Sequence, residues 1–290
     1  MTTPTKVPVA TGIATRLRES LGAALASPLG TAERVSAITQ VLSSAEYLVR
    51  RQDRRRGGLN HWANTRQQVP AKSRWAQRLR DAVAKESVTT ALHGSRLVAG
   101  GLLVSRLADD RVRAAANLYL AGTQIVLYPR HLYGTDGSDQ VSFLVQSAAG
   151  IGRAGGTDTT RRAAIEFIGA QTALSYCAAG VAKVPGADWR SGDALVKIMR
   201  TQTYGDEQFH ALLRQHPVLA RMLCHSVLAM EAGFPLLMLQ KGRYIDAGLL
   251  AMGSFHVANA RLMGLSRFAW AFVSTYPALR SLARRELVAA

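Results

Sequence analysis

From residue 87 onward the chain is a succession of apolar stretches: roughly 87–105, 114–129, 141–151, 163–182, 218–239 and 246–279. A half-buried strand alternates apolar and polar residues over about 4–8 positions, and these stretches neither alternate nor stop that soon. Several approach the roughly 20 residues with which an α-helix crosses a bilayer, and the last is long enough for two passes. They are rich in Ala, Gly, Ser and Leu, as closely packed membrane helices are. Short basic or turn-rich pieces divide them: RLADDRVR, YGTDGSDQ, GRAGGTDTTRR and QKGRY. The sequence therefore predicts an all-α fold, a polytopic transmembrane helix bundle over 87–290 in the cell membrane. A soluble all-α bundle is the alternative, since 87–105 contains His93 and Arg96 and 141–151 is short.

Charge is distributed unevenly. Of a formal +17, residues 1–96 hold +10, from 16 basic and 6 acidic residues. Residues 1–86 read as a basic cytoplasmic N-terminal region. Its first 30 residues are punctuated by Thr, Pro and Gly, with no signal-peptide core and cleavage site. At 32–49, Val35, Ile38, Val41, Leu42 and Leu48 fall near helical spacing and predict an amphipathic helix. The run RRQDRRRGG at 50–58 suits anionic lipid headgroups, each basic residue adding about 1 kcal/mol near such a surface. The positive-inside rule puts this head, 152–162, 240–243 and 280–285 on the cytoplasmic side. Single crossings counted from 87 then give the wrong parity, so either 87–105 is a re-entrant or surface segment or 32–49 inserts. Nucleic-acid binding would explain the head but not the body, and the expected partner is the lipid bilayer.

Two cysteines, Cys177 and Cys224, exclude a disulfide scaffold and a multi-Cys zinc framework, and no metal-ligand spacing occurs. The glycines of GIGRAGG follow no strand pattern, which weakens a dinucleotide-binding reading. The chemistry-bearing segments lie later. In LSYCAAGVAKVPGADWRSGDAL an apolar helix runs into Lys183 before Pro185 breaks it, and Asp188 and Trp189 follow. Lys183 either extends its stem to a membrane interface, with Trp189 in a headgroup belt, or is a partly desolvated amine able to act as a base. In GSFHVANARLMGLSRFAWAFVSTYP, His256 and Asn259 share one helix face inside an apolar stretch. They make either a helix–helix hydrogen bond or a substrate-contacting face. Glu231, ahead of Pro235, is a third ionisable group at such depth, a partner for His225 or His256 or a proton acceptor. Asp139, in the tight loop YGTDGSDQ, caps the next helix or joins the site.

The segment AGVAKVPGADWRSG resembles the AG-x-x-K helix end followed by D-W-x-x-G in the vitamin K-dependent γ-carboxylases and their bacterial relatives, the horizontally transferred transmembrane (HTTM) domain proteins. FHVANARLMGLSRFAW resembles that family's FHxxNxxLxxIxxF segment, with Leu265 at the Ile position. MEAGFPLLML, Glu231 included, is similar to its acidic helix, and YGTDGSDQV stands where bacterial members carry a GxD-type loop. The resemblance covers roughly 87–279. It implies a membrane-embedded enzyme in which Lys183 is the base that deprotonates a quinol of the vitamin K or menaquinone type. His256 would be a second catalytic group, and Asn259, Glu231, Asp188, Trp189 and Asp139 would line the substrate or cofactor site. The loop here lacks the carboxylases' functional histidine, and the chain lacks their large C-terminal lumenal region. The resemblance thus implies a related carboxylase-like or lyase-type reaction on a quinol, lipid or peptide, not γ-glutamyl carboxylation as such. A second branch of the family is needed to mature secreted peptide toxins of the sporulation-delaying type. That branch implies a non-enzymatic role beside a peptide substrate and a small accessory protein.

Overall fold

The computed structural model describes residues 27–105 and 108–284. The punctuated start through residue 26, Arg106 and Leu107 of RLADDRVR, and Arg285 of the C-terminal basic group lie outside them. Among the described residues every regular element is a helix. The N-terminal part supplies α1 (Pro28–Val49), α2 (Trp62–Gln68) and α3 (Arg74–Val83). The apolar stretches become α4 (Glu86–Val104), α5 (Asp110–Leu127), α6 (Gly137–Ala154) and α7 (Asp158–Lys183). Three short helices follow: α8 (Ala187–Ser191), α9 (Ala194–Met199) and α10 (Glu207–Gln215). The chain ends in α11 (Pro217–Ala232), α12 (Ile245–Met263), α13 (Ser266–Ser274) and α14 (Tyr276–Arg284).

The expected polytopic transmembrane bundle is overturned. Among the described residues no helix is long and apolar enough to cross a membrane. The reason is visible in the helices themselves. The longest, α7, has 26 residues, but Ala, Gly, Thr and Ser outnumber its large apolar residues and it includes Glu166 and Gln171. Helix α4 carries His93 and Arg96 at its centre, and α11 has only 16 residues. The long run 246–279 is cut into three helices, the first ended by Gly264 at φ +70°.

Local chemistry sets the helix starts. Ser27 accepts from the Gly30 amide at 3.2 Å and Pro28 occupies the first turn of α1, where its missing N–H costs nothing. Asp136 and Asp139 form a reciprocal capping box at α6, and Thr157 and Thr160 do the same at α7. These pairs satisfy amide donors that no intrahelical carbonyl can reach.

Helix α1 packs against α4, α6, α13 and α14, and it turns its polar stripe inward. Glu33, Ser36, Thr39, Gln40, Ser43 and Ser44 are buried, whereas Val35, Ile38, Val41, Leu42 and Leu48 are only half-buried. Facing helices provide the partners that make this tolerable. Glu33 is fully buried and accepts from Arg113 Nε at 2.5 Å, from Arg153 Nη2 at 2.6 Å and Nε at 2.7 Å, and from Asn117 Nδ2 at 2.8 Å. A buried carboxylate without such partners would be prohibitively costly.

Apolar packing completes the bundle. Leu29, Val145, Ile165, Ile168 and Ala278 join α1, α6, α7 and α14. Tyr176, Phe234, Phe272, Met252 and Leu279 form a second, more aromatic cluster on the other side of α7. Helices α7 and α11 meet where Gly180 leaves no room for a side chain: a Cβ there would fall onto the backbone nitrogen of Ala232. This close approach brings Lys183 within reach of Glu231.

Candidate functional site

Helix α6 lies between α5 and α7 and forms the floor of an apolar groove of 1220 Å³. Phe143, Leu144 and Ile151 of α6, Ile125 of α5 and Phe167 of α7 give the groove its apolar surface. Ser147 lies midway along the floor, and Val69 and Arg80 reach the groove from the N-terminal segment. One end is polar, with Gln124, Thr135, Asp136, Asp139 and Gln140.

That polar end adjoins a second, small cavity of 40 Å³. The two share Gln124, Tyr128, Thr135 and Asp139, and the small cavity adds Ser43, Tyr47, His93, Arg96 and His131. His93 comes from α4, and His131 from the single 3-10 turn Tyr128–His131 that follows α5. Their Nε2 atoms lie 2.8 Å apart. Burial drives both imidazoles toward the neutral form, His93 to about 3 and His131 well below its ordinary value. A hydrogen bond between two neutral rings requires one to donate from Nε2 and the other to carry its proton on Nδ1. Neither Nδ1 has a partner, so the pair presents one unsatisfied donor and one unsatisfied acceptor. The Tyr47 ring stacks on His131 with centroids 3.8 Å apart.

The charges around this cavity are arranged asymmetrically. Asp139 is served by Arg267 Nη1 at 3.4 Å, and its Oδ2 accepts from the Asp136 amide at 3.0 Å. Burial still pushes its carboxyl up from the ordinary value, against the pull of Arg267. Arg267 also pairs with Glu46 at 3.2 Å. Arg96 is 3 % exposed and donates only to neutral oxygens: Ser44 Oγ at 3.2 Å, Leu120 O at 2.8 Å, Thr123 Oγ1 at 2.5 Å and Gln40 Oε1. Burial lowers its guanidinium to about 10. Arg54, behind the histidines, forms a two-pronged pair with Glu86 at 2.7 and 3.1 Å.

The residues expected from the sequence fall into several places. Lys183 Nζ lies 2.5 Å from Glu231 Oε2 and 5.6 Å from the centre of the Trp189 ring. Glu231 thus has a lysine as its partner. Asp188 turns outward to pair with Lys197 at 2.6 Å. His256 is buried and shares a hydrogen bond of 2.9 Å with Tyr176 Oη, between Phe268 and Phe272, and burial lowers it to about 4. Tyr176 stands seven residues before Lys183 on α7, about two helical turns away. Asn259 is half-buried near the end of α12. Only Asp139 lies at the groove, whose lining includes neither Lys183 nor His256.

Sequence reasoning missed Tyr47, His93, Arg96, Gln124 and His131. One signal was present: His93 and Arg96 are three apart on one face of an apolar helix, where a polar side chain is expensive unless it lines a cavity or pairs. Among the described residues no group of three or more His, Cys, Asp or Glu is placed to hold a metal ion. The chain matches no protein-family model, no curated protein and no solved structure.

Proposed function

We propose that the protein binds an amphipathic, lipid-like small molecule, with its apolar part in the groove over α6 and its polar group at Asp139 and the Tyr47–His93–His131 cavity. The observation that carries this reading is that the groove and the small cavity are neighbours, with Gln124, Tyr128, Thr135 and Asp139 lining both. The groove is larger than the roughly 300–1,000 Å³ of pockets that take drug-sized ligands, and its surface is mostly apolar, with polar groups concentrated at one end. Apolar burial supplies the affinity and the polar end sets the orientation. At that end the neutral histidine pair leaves one ring-nitrogen donor and one acceptor without a partner.

Ser147→Trp tests this reading, because an indole at the middle of the floor obstructs the groove while leaving the polar end unchanged. The purified wild-type chain is expected to carry an extractable lipid-like molecule, seen by native mass spectrometry, and the variant to have lost it while retaining its helical circular dichroism. A wild-type chain that binds no such molecule, or a variant that binds it equally, would falsify the reading.

A further inference from the structure

We infer that the protein docks on the surface of an anionic lipid bilayer through the outward side of α3. The inference goes beyond the groove reading and stands on exposure and charge, whether or not the groove is filled.

Helix α3 turns its apolar stripe outward. Trp75, Leu79 and Ala82 stand at i, i+4 and i+7 and share one face. That face is exposed, Trp75 at 73 % and Leu79 at 40 %. Gln77 and Arg80 point the other way and are half-buried. Gln77 Nε2 donates to Asp81 Oδ1 at 3.0 Å, and Arg80 Nη1 donates to Val69 O at 2.6 Å. Of the three large apolar residues of the helix, only Val83 is buried. Asp81 also accepts from Trp62 Nε1 at 2.9 Å and Arg66 Nε at 3.0 Å, which fastens α3 to α2. The helix is thus held with Trp75 and Leu79 in water, and apolar surface of this kind gains free energy only when something covers it.

Charge says what covers it. Arg74 and Arg78 flank the stripe, and Lys72 and Lys85 stand beyond the two ends of the helix. All four are exposed, and none of them forms an ion pair among the described residues. The acids of residues 59–86 are Asp81 and Glu86. Asp81 lies on the same flank as Arg74, but Arg66 neutralises it, and Glu86 is held by Arg54 at 2.7 Å. Four unpaired cations around a Trp and a Leu match negative headgroups above hydrocarbon. The cations reach the headgroups, the indole sits at their level and Leu79 dips below them. A nucleic acid would satisfy the cations but leave Leu79 and Ala82 in water. A second copy of the same face would press like charges together.

Docking here also has a geometric consequence. Val69 and Arg80 of the same segment line the apolar groove, so α3 at the bilayer surface sets that side of the groove beside lipid.

The test is flotation of the full chain with vesicles of phosphatidylcholine, either alone or mixed equally with phosphatidylserine. The chain is expected to prefer the mixed vesicles. Each basic residue near such a surface strengthens binding roughly fivefold, so Arg74→Gln combined with Arg78→Gln is expected to weaken it about 25-fold. Arg200→Gln combined with Arg214→Gln removes as much exposed charge at α9 and α10 and is expected to have a far smaller effect. Lipids brominated in their acyl chains are expected to quench the wild-type tryptophan fluorescence more than that of Trp75→Phe, which reads the insertion of Trp75 itself. All these substitutions are at exposed positions, and helical circular dichroism checks that each variant is folded. Vesicle binding is expected to be unchanged in Ser147→Trp, so the docking face and the groove reading fail separately. Equal binding to the two vesicles, equal losses in the two double variants, or equal quenching with and without Trp75 overturns the proposal. So does a wild-type chain that ignores both vesicles and binds a DNA oligonucleotide through Arg74 and Arg78.

Discussion

Glu33→Gln is expected to destabilise the fold by about 3–5 kcal/mol, the cost of breaking a buried ion pair from one side. Glu33 is fully buried and its two oxygens accept from Arg113, Arg153 and Asn117. These partners come from α5 and α6, so one carboxylate holds three helices together across the interior. Glutamine keeps the shape but removes the charge, and two guanidiniums remain inside with one neutral oxygen between them. Arg153 retains Asp110, whereas Arg113 retains only the carbonyls of Leu103 and Ser105. Denaturant midpoints of the two proteins measure the difference. A loss below about 1 kcal/mol, the range of an exposed pair, would mean that the cluster is hydrated and not buried.

Mild acid is expected to destabilise the protein well before its carboxylates titrate. His93, His131 and His256 are all held neutral by burial, His93 at about 3 and His256 at about 4. The unfolded chain takes up protons near pH 6.5 and the folded chain does not, so stability falls as pH drops from that value towards the folded values. Each imidazole contributes up to about 1.4 kcal/mol per pH unit in that window. Glu86, lowered by its hydrogen bonds with Arg54, adds a loss of the same sign only below its ordinary range. Asp139, raised by burial, acts in the opposite direction: its protonation in the folded chain favours folding as the pH falls. Unfolding midpoints at pH 7 and pH 5 measure the combined effect. Replacing His93 and His131 together by Gln is expected to remove most of the slope. Equal midpoints at the two pH values would show that the imidazoles reach solvent.

Much of the helical layout was legible in the sequence. The apolar stretch 87–105 becomes α4 at Glu86–Val104, and the stretch 163–182 lies inside α7. Asp139 reads as a cap or a site residue in the sequence, and it takes the third helical position of a capping box whose N-cap is Asp136. The helix ending at Lys183 before Pro185 is likewise in place. These features depend on residues within a turn or two of each other, which is the range over which propensity and capping act. The apolar stretches also suggested membrane spans, and here local reading failed. Small residues are frequent in the helices that carry them, and the side chains that lower the hydropathy of those helices, such as Arg96, Arg113 and Glu166, reveal their roles only once their surroundings are known.

The amino-acid order by itself determined that this chain is helical, roughly where its longer helices lie, and that Lys183 closes one of them. Only the tertiary structure decided which face of α1 points inward, because a polar stripe is stable inside only where Arg113, Arg153 and Arg96 arrive from other helices to meet it. It also decided that His93 and His131, thirty-eight residues apart, meet at the polar end of the groove and that Glu231 pairs with Lys183. Pairings of this kind depend on how α4, α5, α7 and α11 pack, and packing is a property of surfaces that no single stretch of sequence contains.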